Sequence, residues 1–439
     1  MSTNIFLICD KRSIPKDFKG TAILVDSFDN ENCCMSLPYY LENNSARLRS
    51  KYLKFIADLG NRKVEGYSIT DQLEIGDGLS YWWMTRLAEK SPFKSPNIYK
   101  SLLMLALEEI LVEFRPSEVR VSSGQSEYEE IVEGICRYKY ISYSYESHIF
   151  KKPRVFFKTL KPFLSGITSI LKRFTLRYRA TFFRQTKRYD ESKNVTIFSY
   201  FTHLSRKHYE MGEHYSFMWT ELPNLLMEKG WAINWLQHYL PNGGNVSLSQ
   251  GLKLLDGFND KENINQNHMF LDSHLGFSVL WRTFKSWFRL RRKALSFQNL
   301  PTLFQVNNSG VNLWPLLKSE WISSTSGSTA ATNCFWVALF DSALRDKPRQ
   351  ELGLYLHEGQ AWEFAMLTAW RKYKHGKIVS VQHAAAPFWH LYYFNDESVY
   401  LNQSSNGMPV PDLWSTNGPA AYNAFLDSGY PSDKVIMLE

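Results

Sequence analysis

The sequence predicts an α/β protein built on parallel sheets, and three stretches carry that prediction. Over residues 1–150 short apolar runs alternate with helical patterns, as expected of a parallel α/β domain. Val195–Leu236 begins a second series of the same kind. The clearest unit runs from Gly353 to Phe394. There Gly353–Leu356 is a short apolar run suited to a strand buried on both faces. Ala361–Tyr373 follows, with Trp362, Ala365, Met366, Ala369, Trp370 and Tyr373 at helical spacing. Lys372, Lys374 and His375 fall in its last turn, Gly376 stops it, and Ile378–Val381 forms a second strand. This is one β–α–β unit, whose strands should be parallel and joined by a right-handed crossover.

Taken in order, Asn4–Cys9 and Thr21–Asp26 read as strands, Ser45–Leu59 as a helix, and Ile98–Phe114 as a strong helix stopped before Pro116. Glu118–Ser122 reads as a strand, Glu127–Tyr138 as a helix and Tyr140–Tyr145 as another strand. Ser122–Gln125 is a polar strand-to-helix turn with a single glycine, and an ordinary connection accounts for it. Val195–Tyr200 and Trp231–Leu236 read as strands with a helix over Phe217–Lys229 between them. Pro241–His268 is polar and rich in Asn and Gly, which predicts a long surface loop. Leu313–Leu344 reads as mostly helical, interrupted by the hydroxyl-rich run Ser323–Thr329. That run lacks the lysine and spacing of a P-loop and is read as a turn. Asn402–Pro411 reads as a linker. Asp412–Thr416 and Lys434–Leu438 read as strands, with a helix over Pro419–Ser428 between them.

Composition narrows the class. The 439 residues suit two or three domains. Aromatic residues are abundant, with 14 Trp, 24 Tyr and 29 Phe; rings of this kind stack on sugar C–H groups, although most fill cores. The five cysteines, Cys9, Cys33, Cys34, Cys136 and Cys334, fit neither a disulfide framework nor a zinc pattern. A reducing cytoplasm is expected. No signal-peptide pattern and no bilayer-length apolar run is present.

The net charge of +8 is unevenly spread. Thirteen Lys or Arg against Asp190 and Glu191 make residues 151–193 +11, which leaves −3 for the remainder. In this stretch Phe156, Phe157, Leu160, Phe163, Leu164, Ile167, Ile170, Leu171 and Phe174 interleave with Lys158, Lys161, Lys172, Arg173, Arg177, Arg179 and Arg184. A cationic, aromatic, amphipathic segment suits the headgroup region of an anionic membrane. A basic linker packed across two domains would show the same composition. Trp281–Lys293 repeats the pattern and favours the membrane. No nucleic-acid-binding motif is present, and no nucleic-acid partner is expected.

The candidate site follows from the central unit. His357, Glu358, Gly359 and Gln360 fall where its first strand meets the helix, and Gln382 and His383 where its second strand ends. Both sets belong to the carboxyl edge of one sheet, where open α/β folds bind ligands, and the helix N-terminus favours an anion. Glu358 and Glu363 could equally do no more than complement the helix dipole, at roughly 0.3–1 kcal/mol each. His203 and His238 also fall just past strands. His208 and His214 are nearby in sequence; none of the four has metal-ligand spacing, and an unliganded loop histidine is the favoured reading of each.

EGQAWEFA from Glu358, VQHAAAPFW from Val381, PDLWSTNGPAAYNAFLDSGYP from Pro411 and YWWMTRLAEKSPFKSP from Tyr81 resemble bacterial surface-carbohydrate biosynthesis proteins. The resemblance runs over nearly the whole chain. It implies an inverting glycosyltransferase of the GT-B type, related to Kdo and glycerophosphate transferases, with Rossmann-like domains and parallel sheets. The expected organisation is an N-terminal α/β domain over 1–150, a basic insert or linker over 151–193, and a Rossmann-like acceptor-side domain over 194–405. Residues 406–439 are expected to open a C-terminal donor domain, incomplete in this chain.

The implied role is in lipopolysaccharide O-antigen or capsule assembly. A sugar would pass from a nucleotide-sugar donor, a substrate rather than a cofactor, to a glycan or lipid-linked acceptor. Glu358 is the expected catalytic base and His383 the expected leaving-group or acceptor contact. Gln360, Trp362, Glu363, Gln382 and His203 are expected to bind substrate. No DxD-like motif is present, so no metal and no cofactor are expected. The expected location is the cytoplasm, peripheral on the inner face of the membrane through 151–193. The competing expectation is a non-catalytic, membrane-associated scaffold or acceptor-binding subunit.

Overall fold

The computed structural model describes residues 4–30, 33–122, 126–145, 160–182, 193–240, 246–260, 265–401 and 406–438. Five short strands open the fold: Ile5–Cys9 (β1), Thr21–Leu24 (β2), Cys34–Ser36 (β3), Glu118–Ser122 (β4) and Ser142–Tyr145 (β5). They form a wholly parallel sheet in the order β3-β2-β1-β4-β5. Leu37–Asn43 (α1), Ser45–Asn61 (α2), Asn97–Phe114 (α3) and Ser126–Lys139 (α4) supply its helices. Most of α3 is buried, from Ile98 to Leu111, which is why its sequence is apolar almost all round. It stops where Arg115 turns left-handed (φ 44°) just before Pro116. The turn through Gly124 and Gln125 lies outside the described residues.

The basic stretch is helical over Leu160–Arg177 (α5), with a 3₁₀ turn over Tyr178–Phe182. The rest of that stretch, 151–159 and 183–192, lies outside the described residues. Rather than run free as a linker, α5 is docked. Phe163 stacks on Trp287 at 5.3 Å between ring centroids, and a Cβ on Gly166 would lie 2.3 Å from the same indole. Arg177 is buried and pairs with Asp272 at 3.0 Å. Arg173 sits over Trp336 at 5.4 Å. Arg177 therefore serves the interior, and Arg173 is partly buried at a cleft rather than on the outer face of the helix.

A second parallel sheet holds seven strands. They are Asn194–Tyr200 (β6), Ala232–His238 (β7), Gln266–Phe270 (β8), Leu352–Leu356 (β9), Lys377–Val381 (β10), Leu413–Thr416 (β11) and Val435–Met437 (β12). Its order is β8-β7-β6-β9-β10-β11-β12. The helices are Leu222–Glu228 (α6), Leu248–Asn259 (α7), Phe277–Leu295 (α8), Trp314–Thr325 (α9), Ser328–Arg345 (α10), Ala361–Lys372 (α11) and Pro419–Leu426 (α12). The fold is α/β with two Rossmann-like parallel sheets, as the alternation of the sequence predicts.

Two expectations need correction. Pro241–His268 is not one loop: α7 begins at a Ser247–Gln250 capping box, and β8 follows. The strand QNHMF is polar yet fully buried. Gln266 accepts from the Trp235 indole at 2.7 Å, Asn267 donates to Asn234 at 3.2 Å, and Asn259 is bonded to both the N–H and the carbonyl of His268. Internal pairing hid the strand from a hydrophobic pattern. Residues 406–438, in turn, do not open a separate domain. Ser380 pairs with Trp414 and Ser415 with Ile436, so β11 and β12 extend the second sheet. One apolar core joins both sheets through α8, α9 and α10, with Ile8, Leu107, Trp321, Phe335, Phe198 and Trp370 all belonging to it.

Candidate functional site

The strand order of the second sheet reverses between β6 and β9, the two strands that follow one another in space but not in sequence. Loops leaving such neighbours in opposite directions open a crevice at their carboxyl ends. Tyr200 ends β6 and Glu358 follows β9, so both stand at this crevice. The Tyr200 hydroxyl donates to Glu358 Oε2 at 3.0 Å. Gln360 Nε2 donates to the same oxygen at 2.6 Å. The Trp362 indole N–H in turn donates to the Tyr200 oxygen at 2.9 Å. Glu358 Oε1 is left facing His383, whose Nε2 is 4.0 Å away.

The turn that carries Glu358 depends on Gly359. Its φ is +62°, and a Cβ there would meet the Tyr392 carbonyl oxygen at 2.7 Å. Glu363 completes the turn from within α11. Its Oε1 accepts from the backbone N–H of Glu358 at 3.0 Å and of Gln360 at 2.9 Å, half of a capping box. Its Oε2 lies 3.5 Å from His357 Nδ1. Glu363 is therefore a buried positioning group, not the substrate contact expected of it.

Burial raises the pKa of Glu358 above the ordinary carboxylate value, and the charge of Glu363 adds to the rise, while the Tyr200 and Gln360 hydrogen bonds oppose it. Burial, with the neighbouring His357, lowers His383. His383 is thus neutral at pH 7, and its expected contact to a leaving group is a hydrogen bond rather than an ion pair. His203 sits beside Tyr200, ring centroids 5.3 Å apart, and burial pushes it down to about 4.

The expected residues divide into two groups. Gln360 and Trp362 line a cleft of about 640 Å³ together with Tyr200 and His238. Glu358, His203, Gln382 and His383 are not among the residues lining this cleft; Gln382 is buried and His383 partly buried. Among the described residues, both side-chain heteroatoms of Gln382, both ring nitrogens of His357 and Nδ1 of His383 have no hydrogen-bond partner. Polar groups buried in this state call for water or ligand hydroxyls.

The far wall of the cleft was missing from the sequence reading. The segment from Tyr81 to Pro96 crosses from the first domain to bring Arg86, Glu89 and Lys94 to it, and α5 and α10 supply Arg173, Thr332 and Trp336. The hydroxyl run read as a mere turn contributes Ser328 and Thr329. Their convergence is not a local signal, because positions 86–94, 173 and 328–336 lie far apart in the chain. Among the described residues, no group of three or more His, Cys, Asp or Glu side chains is placed to hold a metal ion. Comparison with protein-family models, curated proteins and solved structures found no match to this chain.

Proposed function

We propose that the protein is an inverting glycosyltransferase of bacterial surface-polysaccharide assembly, moving a sugar from a nucleotide-sugar donor to a glycan or lipid-linked acceptor. The observation that carries this reading is Glu358. It is a partly exposed carboxylate at the strand-order reversal, raised in pKa, with Oε2 tethered and Oε1 available. In the reaction Oε1 takes the proton of the acceptor hydroxyl while that oxygen attacks the anomeric carbon. The bond from that carbon to the donor phosphate breaks, and the diphosphate departs with its electron pair. Gln360 and Trp362 hold sugar hydroxyls at the cleft wall, and His383 bonds the incoming acceptor.

Glu358→Gln tests this directly. A general base contributes typically 10²–10⁴-fold, so turnover with a transferable nucleotide sugar falls by about that factor while KM changes little and the near-ultraviolet dichroism is retained. Near-normal turnover in the folded variant removes Glu358 as the base. Absence of transfer by the wild type across a panel of nucleotide sugars favours the non-catalytic acceptor-binding subunit.

The same reading places the protein on an anionic membrane surface. Among the described residues, no helix is long and apolar enough to cross a membrane. Supporting a peripheral position is a groove of about 520 Å³ between α5 and α8. Phe163, Ile167, Trp281 and Phe288 line it, and Lys285, Arg289 and Arg292 rim it. Trp281 and Phe288 stand largely exposed at 70% and 56%, the pairing of aromatic and cationic groups that suits a lipid headgroup layer.

A further inference from the structure

We infer that the cleft wall opposite Gln360 is a subsite for a phosphate or diphosphate group, built from Arg86, Arg173 and the N-terminus of α10. This deepens the transferase reading, and rests on it for the identity of the rest of the ligand. The two remaining basic side chains of the cleft are already paired, Lys94 with Glu89 and Arg177 with Asp272. Among the described residues neither Arg86 nor Arg173 forms an ion pair, although the Asp272 charge acts on Arg173, and both line the cleft. The guanidinium of Arg173 is held over the Trp336 ring at 5.4 Å, a contact that fixes its plane without neutralising it.

Helix α10 begins at this wall. Its N-cap is Gly327, and no side chain caps it, so its first-turn N–H groups remain available to an anion. Ser328, Thr329 and Thr332 line the same cleft, with the Thr329 hydroxyl bonded to Ser323 at 2.8 Å and the Thr332 hydroxyl to Ser169 at 3.3 Å. An independent sign of a missing partner is His238. It is 98% buried, it lines the cleft, and its Nε2 has no hydrogen-bond partner among the described residues. Two guanidinium groups outside any ion pair, a helix N-terminus and the buried His238 line one space. A multiply charged oxyanion satisfies all of them, because Arg binds phosphate oxygens in a bidentate manner. A neutral sugar would leave Arg86 without a counter-charge and Arg173 with only the Asp272 charge that Arg177 already shares.

The topology suggests two sources for such a group. The cleft face of α5 carries Arg173, while the same helix exposes Leu164, Leu171 and Leu176. A lipid diphosphate could thus enter from the groove side, and a nucleoside diphosphate from the open crevice.

The test is titration calorimetry of the full chain with inorganic pyrophosphate, with binding expected for the wild type and weakening as salt is raised. Arg86→Gln and Arg173→Gln should each weaken it at least tenfold, and Arg173→Lys should retain part of it, which shows that the loss is not one of folding. Absence of wild-type binding, or binding unchanged in both glutamine variants, overturns the subsite. Displacement of pyrophosphate by a nucleoside diphosphate identifies the donor as its source, and displacement by a short prenyl diphosphate the lipid-linked acceptor. Glu358→Gln should bind pyrophosphate at least as tightly as the wild type. If the wild type binds pyrophosphate but transfers no sugar, the subsite stands and the transferase reading falls.

Discussion

At the scale of single residues, Glu358 owes its character to burial, to the nearby Glu363 charge and to two donors on Oε2. A base works only when deprotonated. Its raised pKa therefore predicts a kcat/KM that climbs with pH through a limb above the ordinary carboxylate range and levels off once the carboxylate is ionised. Glu363→Gln keeps an acceptor for the two backbone N–H groups but removes the like charge, so that limb should move to lower pH. A limb that stays in place would mean that Glu363 does not set the base's pKa. Glu358, Gln360 and Trp362 were legible in the sequence because a strand-to-helix junction announces itself locally. Tyr200, which tethers Glu358 from 158 positions away, was not. Glu363 was legible as a residue near the site but not in its role, since its carboxylate turns inward to the backbone.

At the scale of elements, the telling piece is α5. Its sequence shows charge and apolar residues in alternation, and that pattern alone fits a membrane surface and a packed linker equally well. The structure divides the helix: Arg177 and Arg173 turn inward, while Lys161 and Lys172 are exposed. The Arg177–Asp272 pair is almost completely buried on both sides, at 4% and 2% exposure. Removing one partner leaves the other charge unpaired. Asp272→Ala should therefore cost about 3–5 kcal/mol in denaturant unfolding. The double change Asp272→Leu with Arg177→Met should recover most of that loss, since apolar groups of similar volume often replace such a pair without penalty. A single variant within about 0.5 kcal/mol of the wild type would show that the pair does not anchor α5.

At the scale of the whole molecule, α5 and α8 together present the face proposed for lipid. Association with anionic vesicles should weaken as salt is raised, because attraction is screened over about 8 Å at physiological ionic strength, without vanishing, because apolar insertion is not screened. Replacing Lys285, Arg289 and Arg292 by Gln should weaken it by up to roughly 3 kcal/mol, at about 1 kcal/mol for each charge. Arg173 and Arg177 are excluded from this set, since Arg177 is buried against Asp272 and Arg173 faces the cleft. Equal wild-type binding to neutral and anionic vesicles, or none, would count against a membrane role for this face.

What the chain determined by itself was the alternation of strands and helices, and with it the parallel α/β class. Gly353–Val381 could be placed as a β–α–β unit because apolar periodicity and helix stops are local signals, readable within a dozen residues. Tertiary structure alone decided the rest. Gln266–Phe270 became a strand because Gln266 and Asn267 found side-chain partners on β7 and Asn259 of α7 bonds the backbone of His268. The last strands joined the second sheet because β10 offered them an open edge. The cleft acquired its cationic wall because Arg86 and Arg173 arrive there from separate parts of the chain. Each of these outcomes rests on pairing between distant residues, where burial and hydrogen bonding override local pattern.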